Sequence, residues 1–131
     1  MGQAVLGSRE TVDRLLHFRS GERLSLHHLK AIVETTVSEV FAVDIDRLQG
    51  GSRGQAQVAQ ARQVAMYLLH CAFSVSFTDI GYAFARDRTT VGHACKLVED
   101  RRDDSTFDFM MNNLEEIVRH LAKVSLGHSD I

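Results

Sequence analysis

Residues Phe84 to Cys95 read FARDRTTVGHAC, and they gather Arg86, Arg88, Thr89 and Thr90 into five consecutive positions around Asp87. Arginine brings a fixed fork of charge-assisted donors, and threonine brings a hydroxyl beside a methyl. Together these groups suit phosphate oxygens and the edges of bases. They do not suit bond breaking. No GxSxG elbow surrounds any serine, and no glycine-rich phosphate loop ends in Lys and Ser or Thr. The carboxylates are scattered at helical spacing to Arg or Lys, as solvated ion pairs are. His70, Cys71, His93 and Cys95 form neither a CxxC pair nor an HExxH, and the adjacent His70 and Cys71 point to different helix faces. The expectation is a protein without catalytic residues, bound metal or cofactor.

Donors of this kind act only if an element holds them outward. Asp87 is placed to begin a helix running from Arg88 to about Glu99, with Val91, Ala94, Cys95 and Val98 as its inner face. Before it, Ser76 is placed to cap a two-turn helix ending near Phe84, and Asp79 complements its dipole three residues later. The short connection ARD then makes a helix-turn-helix, in which Gly81 lets the first helix pack closely. The second helix of such a unit presents its N-terminal residues to the major groove, where free backbone N–H groups also favour phosphate. The plainer alternative is an ordinary capped helix with a solvated, charged start.

The remaining pattern is helical throughout. The chain has 131 residues, no proline and 44% hydrophobic residues, which fits one domain with one core. The fold class expected is all-α, a helical bundle containing the helix-turn-helix with an extra helix at each terminus. A short helix from Ser8 to Phe18 forms an N-terminal appendage within residues 1–23. Ser25 caps a longer one whose apolar stripe is Leu26, Leu29, Val33, Val37 and Val40, with Ile32 and Phe41 beside it. DIDRLQGGSRGQ reads as an exposed loop. Val58, Ala61, Ala65, Leu68, Leu69 and Ala72 mark a central helix, with Arg62 and Gln63 near its start. After RRDDST, residues 103–131 carry an amphipathic helix on Phe107, Met110, Met111, Leu114, Ile117, Val118 and Leu121.

The net charge of −2 and pI near 6.4 lack the basic excess of many nucleic-acid binders, so any such contact must come from a local patch. With two cysteines, no signal segment and no apolar run of membrane-spanning length, the expectation is a reduced, cytoplasmic protein without membrane attachment.

Three stretches in order, ARQVAMYL (61–68), DIGYAF (79–84) and RDRTTVGHAC (86–95), resemble the C-terminal DNA-binding domain, domain IV, of the bacterial replication initiator DnaA. The resemblance covers roughly residues 24–102, with SLHHLKAIV at its start. It implies that Arg62 contacts backbone phosphate with Gln63 beside it, and that Asp87, Arg88, Thr89 and Thr90 face the major groove of a DnaA-box-like duplex. Thr78 and Arg86 then lie along the backbone, Lys96 extends the basic footprint, and Arg53 is what remains of a basic loop reaching toward the minor groove. His93 contacts backbone phosphate or serves packing.

The sequence departs from the family in two further places. RDHTTV is RDRTTV here, which puts Arg88 where the family has histidine, and FGGRD is shortened to FARD. The implied function is sequence-specific binding of double-stranded DNA by a nucleoid-associated protein, modulating replication initiation or transcription, as a monomer or weak dimer. The alternative is an adaptor that keeps the fold and binds a protein partner through its terminal helices.

Overall fold

A computed structural model describes residues 15–17, 23–50 and 55–127, with side chains described from Leu24 onward. The elements run β1 (Leu15–His17), β2 (Arg23–Ser25), α1 (Leu26–Phe41), α2 (Ile45–Gln49), α3 (Ala56–Phe73), α4 (Phe77–Phe84), α5 (Arg88–Arg101) and α6 (Ser105–Ser125). The bundle is helical as expected. The exception is the N-terminal helix: its described part, Leu15–His17, is a strand paired antiparallel with Arg23–Ser25, Leu16 opposite Leu24. Pairing with the nearby strand β2 overrides the weak helical spacing there. The rest of that expected helix lies outside the described residues.

Ser25 does cap α1, its Oγ accepting from the backbone N–H of His28 at 3.1 Å. Leu26, Leu29, Val33 and Val37 are buried, but Val40, the penultimate residue of the helix, is exposed. The expected loop after α1 instead contains α2, whose Leu48 is fully buried. Glu34 is buried beside it, accepting from Gln49 Nε2 at 3.0 Å and lying 3.2 Å from Lys30 Nζ. A buried carboxylate needs such partners to offset its lost hydration.

Helix α3 is the hub and packs against all five other described helices, meeting the short α2 through Arg62 in its N-terminal half. Its small Ala61 and Ala65 are fully buried among Val58, Val64, Leu68 and Leu69. It ends on Ser74 in the left-handed region, with Ser74 N–H donating to the His70 carbonyl and Val75 N–H to that of Leu69. The bond from Ser74, the left-handed residue, to His70 is that of the αL termination motif, and the Val75 bond satisfies one more terminal carbonyl. Buried Val75 supplies the accompanying apolar contact.

The last helix belongs to the same core. Phe107, Met111, Leu114, Val118 and Ala122 are buried against α1 and α3, whereas Ile117 and Leu121, expected on that face, are exposed. Arg102 fastens the join: Nε donates to Asp108 Oδ1 at 2.6 Å, and Nη1 donates to Glu115 Oε2 at 2.8 Å and to Tyr67 Oη at 2.9 Å. Tyr67 donates in turn to Glu99 Oε2 at 2.7 Å. Burial pushes Arg102 toward neutrality, but the bonds to Asp108, Glu115 and Tyr67 more than reverse this and raise its pKa. At the other end of α6, Arg119 reaches the Cys71 and Ala72 carbonyls of α3, both at 3.4 Å. No helix among the described residues is long and apolar enough to cross a membrane.

Candidate nucleic-acid interface

The site is built on α4, the turn after it, and the start of α5. Ser76 Oγ accepts from the Asp79 N–H at 3.1 Å and starts α4 where the sequence indicated. The helix stops at Ala85, which adopts the left-handed conformation with φ 56° and ψ 46°. Arg86 N–H then donates to the Gly81 carbonyl at 2.8 Å and closes the turn. A side chain at Gly81 has no room: a Cβ there would meet the Arg86 carbonyl oxygen at 2.5 Å. Asp87 is the N-cap by position, but its carboxylate does not cap the helix. It accepts instead from the Thr89 hydroxyl.

Thr78, Asp87, Arg88, Thr89, Thr90 and Lys96 are all exposed, and Arg86 is half-buried. Thr89, His93 and Lys96 follow the i, i+4, i+7 spacing of one helix face and are exposed together. His93 therefore does not serve core packing. Lys96 is paired only loosely, 3.8 Å from Asp100. Because Thr89 spends its hydroxyl proton on Asp87, it offers outward a lone pair and a methyl group. These fit a base amino donor and a thymine methyl, respectively.

Arg62 is placed differently from the phosphate contact expected of it. Its residue exposure is 9%, and the guanidinium serves the end of α2: Nε donates to the Leu48 carbonyl at 2.8 Å, and Nη2 to those of Arg47 at 3.1 Å and Gly50 at 3.2 Å. Terminal carbonyls of a helix need partners, and α2 is too short to provide them. Burial, and then the nearby charge of Arg86, lower the Arg62 pKa. Arg86 shares the same acceptor, its Nη2 donating to Gly50 at 3.3 Å while Nη1 donates to the Phe84 carbonyl at 3.2 Å. Gln63 is half-buried and, with Ala56, Ala59, Gln60, Leu97, Asp100 and Arg101, lines a shallow open groove between α3 and α5. Arg53 lies outside the described residues.

The Gly50 carbonyl was not among the expected site groups. The signal for it was an arginine next to Ala61 on the inner side of α3, following a glycine-terminated turn whose carbonyls lacked partners.

The order of elements, the tight turn at Ala85 and the polar face at the start of α5 define a helix-turn-helix domain within an all-helical bundle. The sequence model of a family described as "Bacterial dnaA protein helix-turn-helix" matches residues 30–98, and the chain belongs to that family.

Among curated relatives, the chromosomal replication initiator protein DnaA 2 of Chlamydia trachomatis is 38% identical over 93 residues, covering 71% of this chain and 19% of the relative. The DnaA of Acinetobacter baumannii strain AYE is 38% identical over 113 residues, covering 85% of this chain and 23% of the relative. The chain thus spans about a fifth of the length of these relatives. A solved structure of a DNA replication initiation factor aligns with a TM-score of 0.63 and 33% identity, over 70% of this chain and 28% of that one.

Proposed function

We propose that this protein binds double-stranded DNA sequence-specifically at DnaA-box-like sites, with α5 in the major groove, and so modulates replication initiation or transcription. The observation that carries the reading is the exposed Thr89–His93–Lys96 face, which begins at a helix N-terminus and is bordered by Arg86 and Arg88. Thr89 and Thr90 read base edges. Arg86 and Lys96 hold phosphate, and Arg88 serves a base or a phosphate. Thr78 lies along the backbone. Arg62 acts one step back, by fixing the Gly50 carbonyl against which Arg86 is set. The activity is binding alone, without a catalytic step or cofactor, on chromosomal DNA in the cytoplasm.

Fluorescence anisotropy on a DnaA-box duplex and a scrambled duplex across a salt series tests this. With Arg86, Arg88 and Lys96 as phosphate-neutralising groups, the log–log salt slope is expected near −3, at about −0.9 per phosphate. The box should bind more tightly than the scrambled duplex at every salt. A flat salt response, or two duplexes equally unbound, overturns the reading in favour of an adaptor that keeps the fold without the DNA contact.

A further inference from the structure

The outer face of α6 has no role in the DNA reading. Phe109 is 69% exposed, and Ile117, Leu121 and Val124, at the i, i+4, i+7 spacing of one stripe, are 43%, 38% and 42% exposed. Met110, half-buried, continues that stripe toward the helix start. Glu115 and Arg119, which turn toward Arg102 and the end of α3, lie on the opposite flank. The stripe is therefore separate from the polar join that fixes the helix to the bundle.

Charge is segregated along the same free side. Glu116 lies toward the middle of the helix, and His120 and Lys123 follow toward its end, all exposed. Among the described residues neither Glu116 nor Lys123 has an ion-pair partner.

We propose that α6 pairs with α6 of a second copy of this chain, antiparallel, about a two-fold axis beside the turn from Ile117 to Leu121. This is independent of the DNA reading. An isologous contact must be self-complementary, since each residue meets its counterpart's neighbours in reverse order. The stripe meets that condition: the two-fold sets Ile117 of one copy on Leu121 of the other, twice. In the same register Glu116 of each copy comes opposite the partner's Lys123 to within about one residue, or about 1.5 Å of helix rise. A parallel pairing would instead set Glu116 on Glu116 and Lys123 on Lys123. One helix face is smaller than the about 800 Å² per partner of a standard interface, so a weak dimer is expected.

Sedimentation velocity of the full chain from about 5 to about 500 µM spans the range of a weak dimer. A monomer–dimer equilibrium is expected. Leu121→Glu, which puts a charge against the partner's Ile117, should weaken it about tenfold or more. Glu116→Lys and Lys123→Glu should each weaken it, and the double variant carrying both should recover the wild-type constant. These two positions are exposed, so the charge variants keep the test intact even if Leu121→Glu fails to fold. A chain that stays monomeric throughout the range, a dimer indifferent to Leu121→Glu, or single charge variants without recovery in the double would overturn the proposal.

Discussion

Arg62 and Arg86 donate to a single oxygen, the carbonyl of Gly50, at 3.2 and 3.3 Å. Two guanidinium groups that close repel each other, and one carbonyl offsets only part of the repulsion. In the proposed function, a phosphate oxygen brought to Arg86 would supply negative charge at this point.

Arg62→Ala follows from that geometry. Losing three bonds from a charged donor and leaving buried carbonyls without partners should cost about 2–3 kcal/mol of stability, measured by urea unfolding. Duplex affinity should fall equally for box and scrambled sequences, because Arg62 sets the frame and reads no base. Arg62→Lys should rescue little, since an ammonium cannot span carbonyls that a planar fork reaches. Unchanged stability in Arg62→Ala would contradict the clamp.

At the start of α5 the expected effects are on sequence preference. Thr89→Ala should reduce discrimination by about 1–3 kcal/mol per lost base contact. Asp87→Ala frees the Thr89 hydroxyl and should change which base is preferred beneath it. Arg88→His separates two roles in a randomised-duplex selection: a shifted base profile means Arg88 pairs with guanine, and an unchanged profile with weaker binding places it on phosphate.

The turn between the two helices gives a pair of opposite predictions. Gly81→Ala forces a methyl group onto the Arg86 carbonyl and should destabilise by about 1–3 kcal/mol, as overpacking does. Ala85→Gly removes a left-handed alanine and should stabilise by about 0.5–1 kcal/mol. Thermal unfolding of the two variants checks both signs. A destabilised Ala85→Gly would show that the methyl group has a packing value larger than its backbone cost.

Stability should also decline in alkali. Burial pushes the Cys95 thiol up to about 12, with the neighbouring Cys71 and Glu99 adding to the effect. Burial and the bond to Glu99 likewise raise Tyr67. Both groups are held protonated in the folded state, so their contribution is complete below the unfolded pKa values of about 8.5 and 10 and is lost as pH rises beyond them. The denaturation midpoint should fall between about pH 9 and pH 12, and less steeply in Cys95→Ala. An identical slope in that variant would remove Cys95 as a cause.

Much of the architecture was readable from spacing. Leu26, Leu29, Val33 and Val37, and then Val58, Ala61, Ala65, Leu68 and Leu69, repeat as a helix buried on one side must, and Ser25 and Ser76 mark starts that the hydrogen bonds confirm. Leu48 was missed because α2 has five residues, too few for a period to show. The strand at Leu15–His17 depends on a partner six residues further on, which local spacing does not report. In the site, the exposed residues of α5 follow from their place after Asp87. The inward course of Arg62 does not, because three carbonyls contributed by α2 and the turn after it decide it.

Helix α3 carries Arg62 near one end and, about 15 Å further on at 1.5 Å per residue, the Cys71 and Ala72 carbonyls that take Arg119 of α6. One stiff rod thus joins the face proposed for DNA contact to the face proposed for pairing. If two copies are held by that face, their recognition helices have a fixed separation and a fixed rotational phase. Paired sites on DNA should then be tolerated in steps of the duplex repeat: adding about 10 base pairs between them preserves joint binding, whereas adding about 5 turns the second site to the far side of the duplex and leaves each copy binding alone.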